Sequence, residues 1–113
     1  MKMIQAIIRR EKLSDVKQAL DSISCPGMQV WEIVGHGKQS GVTEQFRGRE
    51  FKVDLLPKTK IEIVARDGQV KKIIEAIVRT ASTNSIGDGK IFVTSIDDAV
   101  RIRTGENGDV AVD

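Results

Sequence analysis

Two stretches of helical periodicity, each flanked by extended segments, constrain the fold of this chain more than any other feature. In both, apolar residues recur at positions i, i+3, i+4 and i+7: Val16, Ala19, Leu20 and Ile23, then Val70, Ile73, Ile74 and Ile77. One apolar stripe on an otherwise polar helix packs against a core on one side only. We therefore predict amphipathic helices over residues 13–24 and from residues 67–68 onward.

Extended segments surround these helices. Strands are predicted at residues 1–8, 28–35, 51–55, 58–65 and 90–96, with Pro57 separating the third from the fourth. Period two places Lys58, Glu62 and Val64 on the face away from Ile61. When the two segments on either side of Pro57 are counted together, the order is strand, helix, strand, strand, helix, strand. This order predicts a ferredoxin-like α+β fold, with both helices on one face of an antiparallel sheet.

The other face of such a sheet would be uncovered. It would carry Val64 and either Val30 or Trp31, an exposed apolar surface that a monomer tolerates poorly. We expect this face to be covered by a partner, most simply by further copies of the chain.

Two segments break the regular pattern. Three glycines within residues 35–41, followed by Arg47-Gly48-Arg49, predict a mobile hairpin or lobe that ends at Glu50, before the strand pattern resumes at Phe51. Residues 100–103 alternate again, which would place Arg101 and Arg103 on one face. The polar tail, residues 104–113, is predicted to be flexible within a single domain of residues 1–113.

Composition excludes several classes of protein. The 113 residues carry 18 basic and 16 acidic side chains, and a net charge of +2 does not indicate a nucleic-acid or membrane partner. Cys25 is the single cysteine, so no internal disulfide is expected. The first apolar run ends at Arg9-Arg10, too early for a signal peptide, and no run approaches the roughly 20 residues of a membrane helix. These features predict a cytoplasmic protein.

A glycine loop follows the second predicted helix. We use this name for residues 83–90, which end in Gly87-Asp88-Gly89-Lys90. Glycines allow successive backbone N–H groups to surround an anion, and a lysine adds positive charge. The loop is not the common phosphate-binding loop, because Asn84 and Ile91 occupy positions that require glycine and Ser or Thr. A tight turn from helix to strand explains the same residues equally well.

Other chemistries lack their residues. His36 lies between two glycines, where nothing would orient it for a Ser-His-Asp relay, and one His with one Cys is too few for a zinc cluster. Gly35-His36-Gly37 is not a dinucleotide fingerprint, because the third glycine, Gly41, comes one place late. Trp31, Phe92 and Phe51 are not the matched aromatic set of an RNA-binding sheet.

Taken together, several motifs resemble the P-II nitrogen regulatory family, trimeric signal transducers of carbon and nitrogen status. They are Thr-x-x-x-Gly-Asp-Gly-Lys-Ile-Phe-Val at residues 83–93, Arg-Gly-Arg-Glu-Phe at 47–51, Gly-x-Gly-x-Gln at 35–39, Leu-Pro-Lys at 56–58, Glu62, and Arg-x-Arg-Thr-Gly-Glu at 101–106. The resemblance covers essentially the whole chain.

The resemblance implies a nucleotide, ATP or ADP, in the cleft between two subunits. The implied binding residues are Gly27, Met28, Gln29, Gly35, Gly37, Lys38, Gln39, Glu62, Val64, Gly87, Asp88, Gly89, Lys90, Arg101 and Arg103. Of these, residues 87–90 would cradle the phosphates, and both arginines would reach in from the neighbouring subunit. No general base is positioned for hydrolysis, so the resemblance implies binding and not catalysis.

A second ligand, 2-oxoglutarate, is implied beside the nucleotide. Its binding residues would be Gln39, Ser40, Gly41 and Lys58, with the amide oxygen of Gln39 on a Mg²⁺ ion that bridges to ATP. Ligand identity would then set the conformation of the loop at residues 37–55. In the family this loop binds targets, often an ammonium channel, through residues here identified as Arg47, Arg49 and Phe51.

Four positions depart from common members of the family. Phe51 replaces the tyrosine that is nucleotidylated in many of them, so that modification is excluded at this site. Gln29 replaces a threonine and Lys38 an arginine, and both changes affect the residues that would set the preference for ATP over ADP. Ser40 replaces a lysine, which bears on 2-oxoglutarate binding.

The sequence leaves three other functions open. The same sensor could regulate a soluble enzyme, such as an amino-acid biosynthetic kinase or nitrogenase, in place of a channel. A nucleic-acid-binding module and a weak nucleotide hydrolase are the more distant alternatives. Any contact with a membrane is expected only through a protein partner.

Overall fold

The chain folds as an antiparallel sheet with two helices on one face. The structure, a computed structural model, describes residues 1–36, 42–46, 49–53 and 55–113, and in 42–46 and 49–53 it describes the backbone only. The strands are β1 (Lys2–Arg9), β2 (Met28–His36), β3 (Val42–Phe46), β4 (Arg49–Val53), β5 (Leu55–Ala65) and β6 (Gly89–Ser95). The helices are α1 (Leu13–Ser22) and α2 (Val70–Ala81), each preceded by a short 3-10 turn, and a 3-10 helix spans Gly108–Val112.

The main sheet has the strand order β2-β5-β1-β6, with every neighbouring pair antiparallel. Strands distant in sequence are therefore adjacent, and β1 lies between β5 and β6. This arrangement confirms the predicted ferredoxin-like α+β fold. Strands β3 and β4 form a separate two-stranded sheet within the loop that the resemblance places at residues 37–55, and the mobility of that loop stays a prediction.

The core lies between the sheet and the two helices. Alternate residues of the central strands, such as Ile4 and Ile61, are fully buried against the predicted helical stripes. From α1 the core receives Val16 and Leu20, and from α2 it receives Ile73 and Ile77, among others. Period 3.6 in the helices and period 2 in the strands thus bring the two apolar surfaces together.

The face away from the helices carries Trp31, which is 43% exposed and lies under the ammonium of Lys60, 4.8 Å from the ring centroid. Lys60 and Glu62 share this face, as the alternation predicts. Val30 instead lies on the helix side, in register with the buried Ile61. No helix of the described residues is long and apolar enough to cross a bilayer.

Several predicted boundaries differ from the structure, and two of the differences have a clear physical cause. Helix α1 ends at Ser22, not Ser24, because Ser24 takes a left-handed conformation with φ of 54° that stops the helix. Strand β5 already begins at Leu55 and passes through Pro57, where we predicted a break. Proline is accepted there because β1 pairs with β5 only as far as Lys58, so Pro57 has a hydrogen-bonding partner strand on one side alone.

The alternation at residues 100–103 is not a strand, so the prediction that it aligns Arg101 and Arg103 on one face is also wrong. A turn closes here: the Gly105 N–H donates to the Arg101 carbonyl and the Arg101 N–H to the Glu106 carbonyl, both at 2.8 Å. Gly105 has a φ of 74°, which suits glycine.

Beyond this turn the tail contains the 3-10 helix Gly108–Val112, and its predicted flexibility stays a prediction. The Asp113 carboxylate, after the 3-10 helix, accepts hydrogen bonds from Arg66, including one from Nε at 2.8 Å. This pair fastens the tail to the residue that follows β5.

Candidate functional site

The glycine loop lies at one end of the sheet, which we call the loop end, where β1 finishes and β6 begins. In the sheet register, Gly89 lies opposite Ile8 of β1, and Arg9 lies opposite Lys58 of β5. The loop is thereby placed beside two cationic side chains from the two central strands. Neither neighbour is close in sequence, since 79 residues separate Arg9 from Asp88.

Lys58, one of the residues predicted to bind 2-oxoglutarate, contacts the glycine loop. Its ammonium donates a 2.6 Å hydrogen bond to the carbonyl of Gly87. The side chain is only 9% exposed, and burial, followed by the nearby charge of Arg9, lowers the pKa of Lys58 below its ordinary value. Gly35 lies on the same face, where an added Cβ would come within 3.0 Å of Lys58 Cγ. The structure thus brings Gly35, Lys58 and residues 87–90 together.

The carboxylate of Asp88 is turned into the loop. It accepts hydrogen bonds from the Thr83 hydroxyl, from the backbone N–H of Thr83 at 2.7 Å and of Ser85 at 3.4 Å, and from Arg9 Nε at 3.0 Å. The Asp88 N–H is also engaged, with the Ser85 carbonyl at 3.3 Å. Together these contacts, led by those from Thr83, hold the pKa of Asp88 well below its usual range.

This shift gives a testable prediction for stability. Since the pKa of Asp88 is lower in the folded than in the unfolded chain, the ionised carboxylate stabilises the fold at pH values above about 3.9, its ordinary value. That contribution is lost as the pH falls through the folded pKa. We expect Asp88→Asn to lower the Tm at pH 7, and the difference from the parent protein to shrink below about pH 4. Asp97→Asn, at an exposed aspartate, is the control, and an unchanged Tm for Asp88→Asn at pH 7 would contradict the prediction.

Other predicted nucleotide-binding residues lie farther along the sheet. Glu62 accepts a 2.9 Å hydrogen bond from Gln5 and forms a 3.3 Å ion pair with Lys60, and Gln29 is its neighbour on β2. Val64 lies nearer still to the opposite end, in register with Met3. Gly27 is exposed just before β2, and the half-buried Met28 packs against the core.

Arg101 and Arg103 lie beyond the end opposite the glycine loop. From Lys90 to Ser95, β6 runs five residues away from the loop, about 17 Å at 3.3 Å per residue, and the chain then continues toward Arg101. Arg101 is half-buried and donates to Glu106 Oε1 at 2.8 Å and to the Val110 carbonyl at 2.7 Å, whereas Arg103 is exposed. Within one chain, therefore, the arginines and the glycine loop are not brought together.

The remaining predicted residues lie outside the full description. Gly37, Lys38, Gln39, Ser40, Gly41 and Arg47 are outside the described residues, and only the backbone is described for Arg49 and Phe51 in β4. Among the described residues, no group of His, Cys, Asp or Glu is arranged to hold a metal ion. The predictions for 2-oxoglutarate, Mg²⁺ and target binding therefore stay predictions.

Sequence reasoning missed Arg9 and Thr83. Arg9 was left just outside the strand predicted at residues 1–8, but it is the last residue of β1, and its guanidinium also donates to the Ile86 carbonyl at 3.1 Å. Thr83 was part of the motif without a role of its own. The pairing of β1 with β6, which turns Arg9 toward the loop, is not visible in local sequence.

The fold and these contacts define a ferredoxin-like domain whose glycine loop is held at one end of the sheet by a partly buried ion pair between Arg9 and Asp88. The family model described as nitrogen regulatory protein P-II matches residues 1–106. Relatives named nitrogen regulatory protein P-II include one from Rhodobacter capsulatus, 54% identical, and one from Pasteurella multocida, 52% identical; in both cases 99% of this chain and 100% of the relative are covered. Nitrogen regulatory protein P-II 2 of Methanothermobacter thermautotrophicus is 57% identical, with 99% and 97% covered. The chain belongs to the nitrogen regulatory protein P-II family.

Proposed function

We propose that this protein is a cytoplasmic, homotrimeric and non-enzymatic sensor that binds ATP or ADP, and 2-oxoglutarate with Mg²⁺, and regulates nitrogen assimilation. The observation that carries the proposal is the hydrogen bond from Lys58 to Gly87. This bond places the lysine that would bind a dicarboxylate in direct contact with the loop that would bind phosphates. Binding at either ligand position would then change the affinity at the other.

The division of the predicted residues between two ends of the sheet supports a site between subunits. The glycine loop lies at one end, and Arg101 and Arg103 lie beyond the other, so one chain cannot bring both to a single nucleotide. A neighbouring copy can supply the arginines if its far end meets the loop end of the first. The face that carries Trp31 would supply the contact surface.

Calorimetric titration tests the ligand proposal directly. We expect heat on addition of ATP to the trimer, and further heat on addition of 2-oxoglutarate only when ATP and Mg²⁺ are present. The same titrations with Lys58→Met should retain ATP binding and lose the second response, because the apolar side chain fills similar space without the charge. No heat in either titration of the parent protein would reject the proposal.

The target is proposed to be an ammonium transporter that binds the loop at residues 37–55. Purified protein retained on a solid support should capture a transporter from detergent-solubilised membranes in one nucleotide state and release it in the other. Capture of a soluble enzyme, with no membrane protein retained, would instead favour the amino-acid kinase or nitrogenase alternative.

A further inference from the structure

We propose that Arg9 positions the glycine loop by pairing with Asp88. The pair turns the Asp88 carboxylate away from the surface that would bind the nucleotide. This inference deepens the proposed function and rests on it. It assigns a role to Arg9, and it gives Asp88 a role other than direct contact with phosphate.

A carboxylate in the middle of a phosphate loop is an electrostatic conflict. Residues 87–90 place one negative charge between two glycines, and ATP would bring several more. Without a metal ion between them, like charges at a few ångströms repel. The conflict is resolved if the side chain is turned away from the ligand and neutralised.

The structure shows both features. Asp88 is 22% exposed and Arg9 is 16% exposed, so their 3.0 Å ion pair is partly shielded from water. The same guanidinium donates from Nη2 to the Ile86 carbonyl at 3.1 Å, which holds the loop at a second point. Thr83 closes the other side, since both its hydroxyl and its N–H donate to the Asp88 carboxylate.

Arginine suits this position better than lysine. Its planar group donates from two nitrogens to two acceptors in fixed directions, here the carboxylate and the Ile86 carbonyl. Lys58, on strand β5 beside β1, donates to the carbonyl of Gly87, the residue that follows Ile86. With the charge of Asp88 neutralised by Arg9, the carboxylate no longer offsets the positive charge of the exposed Lys90 at the end of the loop.

The test compares Arg9→Gln with Arg10→Gln, which removes the same charge from the next residue, an exposed one. A second pair is Thr83→Val, which removes the hydroxyl, and Thr83→Ser, which keeps it. Each variant is first checked for trimer formation and for a Tm within a few degrees of the parent protein. Two readouts follow: ATP affinity by calorimetry, and amide hydrogen exchange of residues 83–90 without nucleotide.

We expect Arg9→Gln to weaken ATP binding by at least tenfold and Thr83→Val by about fivefold. Exchange in residues 83–90 should become faster in both, while exchange in α1 stays unchanged. Arg10→Gln and Thr83→Ser should stay within twofold of the parent protein.

The outcomes separate this inference from the proposed function. If the parent protein binds ATP and Arg9→Gln binds it equally well, the positioning role is overturned and the proposed function stands. If the parent protein binds no ATP, the proposed function fails, and positioning for a nucleotide fails with it. Unchanged exchange in residues 83–90 of Arg9→Gln would overturn the positioning role whatever the affinities.

Discussion

Replacing Arg103 by alanine is expected to weaken ATP binding ten- to hundredfold without changing the fold. A charge-assisted hydrogen bond to phosphate is worth roughly 1.5–3 kcal/mol, and each 1.4 kcal/mol is about tenfold in affinity. Arg103 is the better choice of the two arginines, because it is exposed and forms no ion pair with another described residue. Arg101 also holds Glu106 and Val110 in the turn, so its loss would disturb local structure as well.

A mixing experiment shows whether Arg103 acts across subunits. Lys90→Ala would remove the cation of the glycine loop, and Arg103→Ala the cation from the other side. In a trimer that contains both variants, one of the interfaces between subunits combines an intact loop with an intact arginine from the neighbouring copy. We therefore expect the mixed trimers to recover one site of parental affinity, although each variant alone binds weakly.

Lys72→Ala, on the exposed face of α2, is the control for loss of a positive charge. Mixed trimers that bind no better than the separate variants would contradict a site between subunits. Parental affinity in Arg103→Ala alone would contradict the role of this arginine.

Gly89→Ala is expected to destabilise the protein by on the order of 3 kcal/mol, a large effect for one methyl group. Gly89 has a φ of 107°, and a Cβ there would lie 1.7 Å from the carbonyl oxygen of Ile7. That oxygen belongs to the backbone of the central strand β1 and cannot move aside. The substitution must therefore displace the start of β6 together with the glycine loop.

Thermal unfolding at fixed protein concentration measures the effect, and about 3 kcal/mol corresponds to a decrease in Tm of roughly 10 °C for a domain of this size. Gly68→Ala is the matched control, because a Cβ at Gly68 meets nothing within 4 Å. We expect its Tm to stay within about 2 °C of the parent protein. A similarly small change in Gly89→Ala would show that β6 does not pack on β1 as described.

The helical stripes and the strand alternation predicted the fold because each element must place its apolar residues on the one face that packs against the core. Val16 and Leu20 on α1, and Ile61 on β5, are buried where the periodicity placed them. Local patterns were misleading where backbone conformation overrode them. Residues 100–103 alternate like a strand. They nevertheless form part of a turn, because Gly105 has a positive φ and backbone hydrogen bonds join Arg101 to Gly105 and Glu106.

The candidate site could be predicted only in part. The glycines and Lys90 are adjacent in sequence, so their grouping was visible. Lys58 was included through the family resemblance alone, and its hydrogen bond to Gly87 connects residues 29 positions apart. The side-chain direction of Asp88 could not be predicted either, because it depends on hydrogen bonds from Arg9 and Thr83, and Arg9 is 79 positions away in sequence.

The sequence by itself determined the class of fold and the family, since periodicity and short motifs are properties of neighbouring residues. Only the tertiary structure decided which charges meet. Antiparallel pairing carries Arg9 and Lys58 to the glycine loop and leaves Arg101 and Arg103 beyond the opposite end of the sheet. Ion pairs depend on distances of a few ångströms, and those distances are set by strand register across the whole chain.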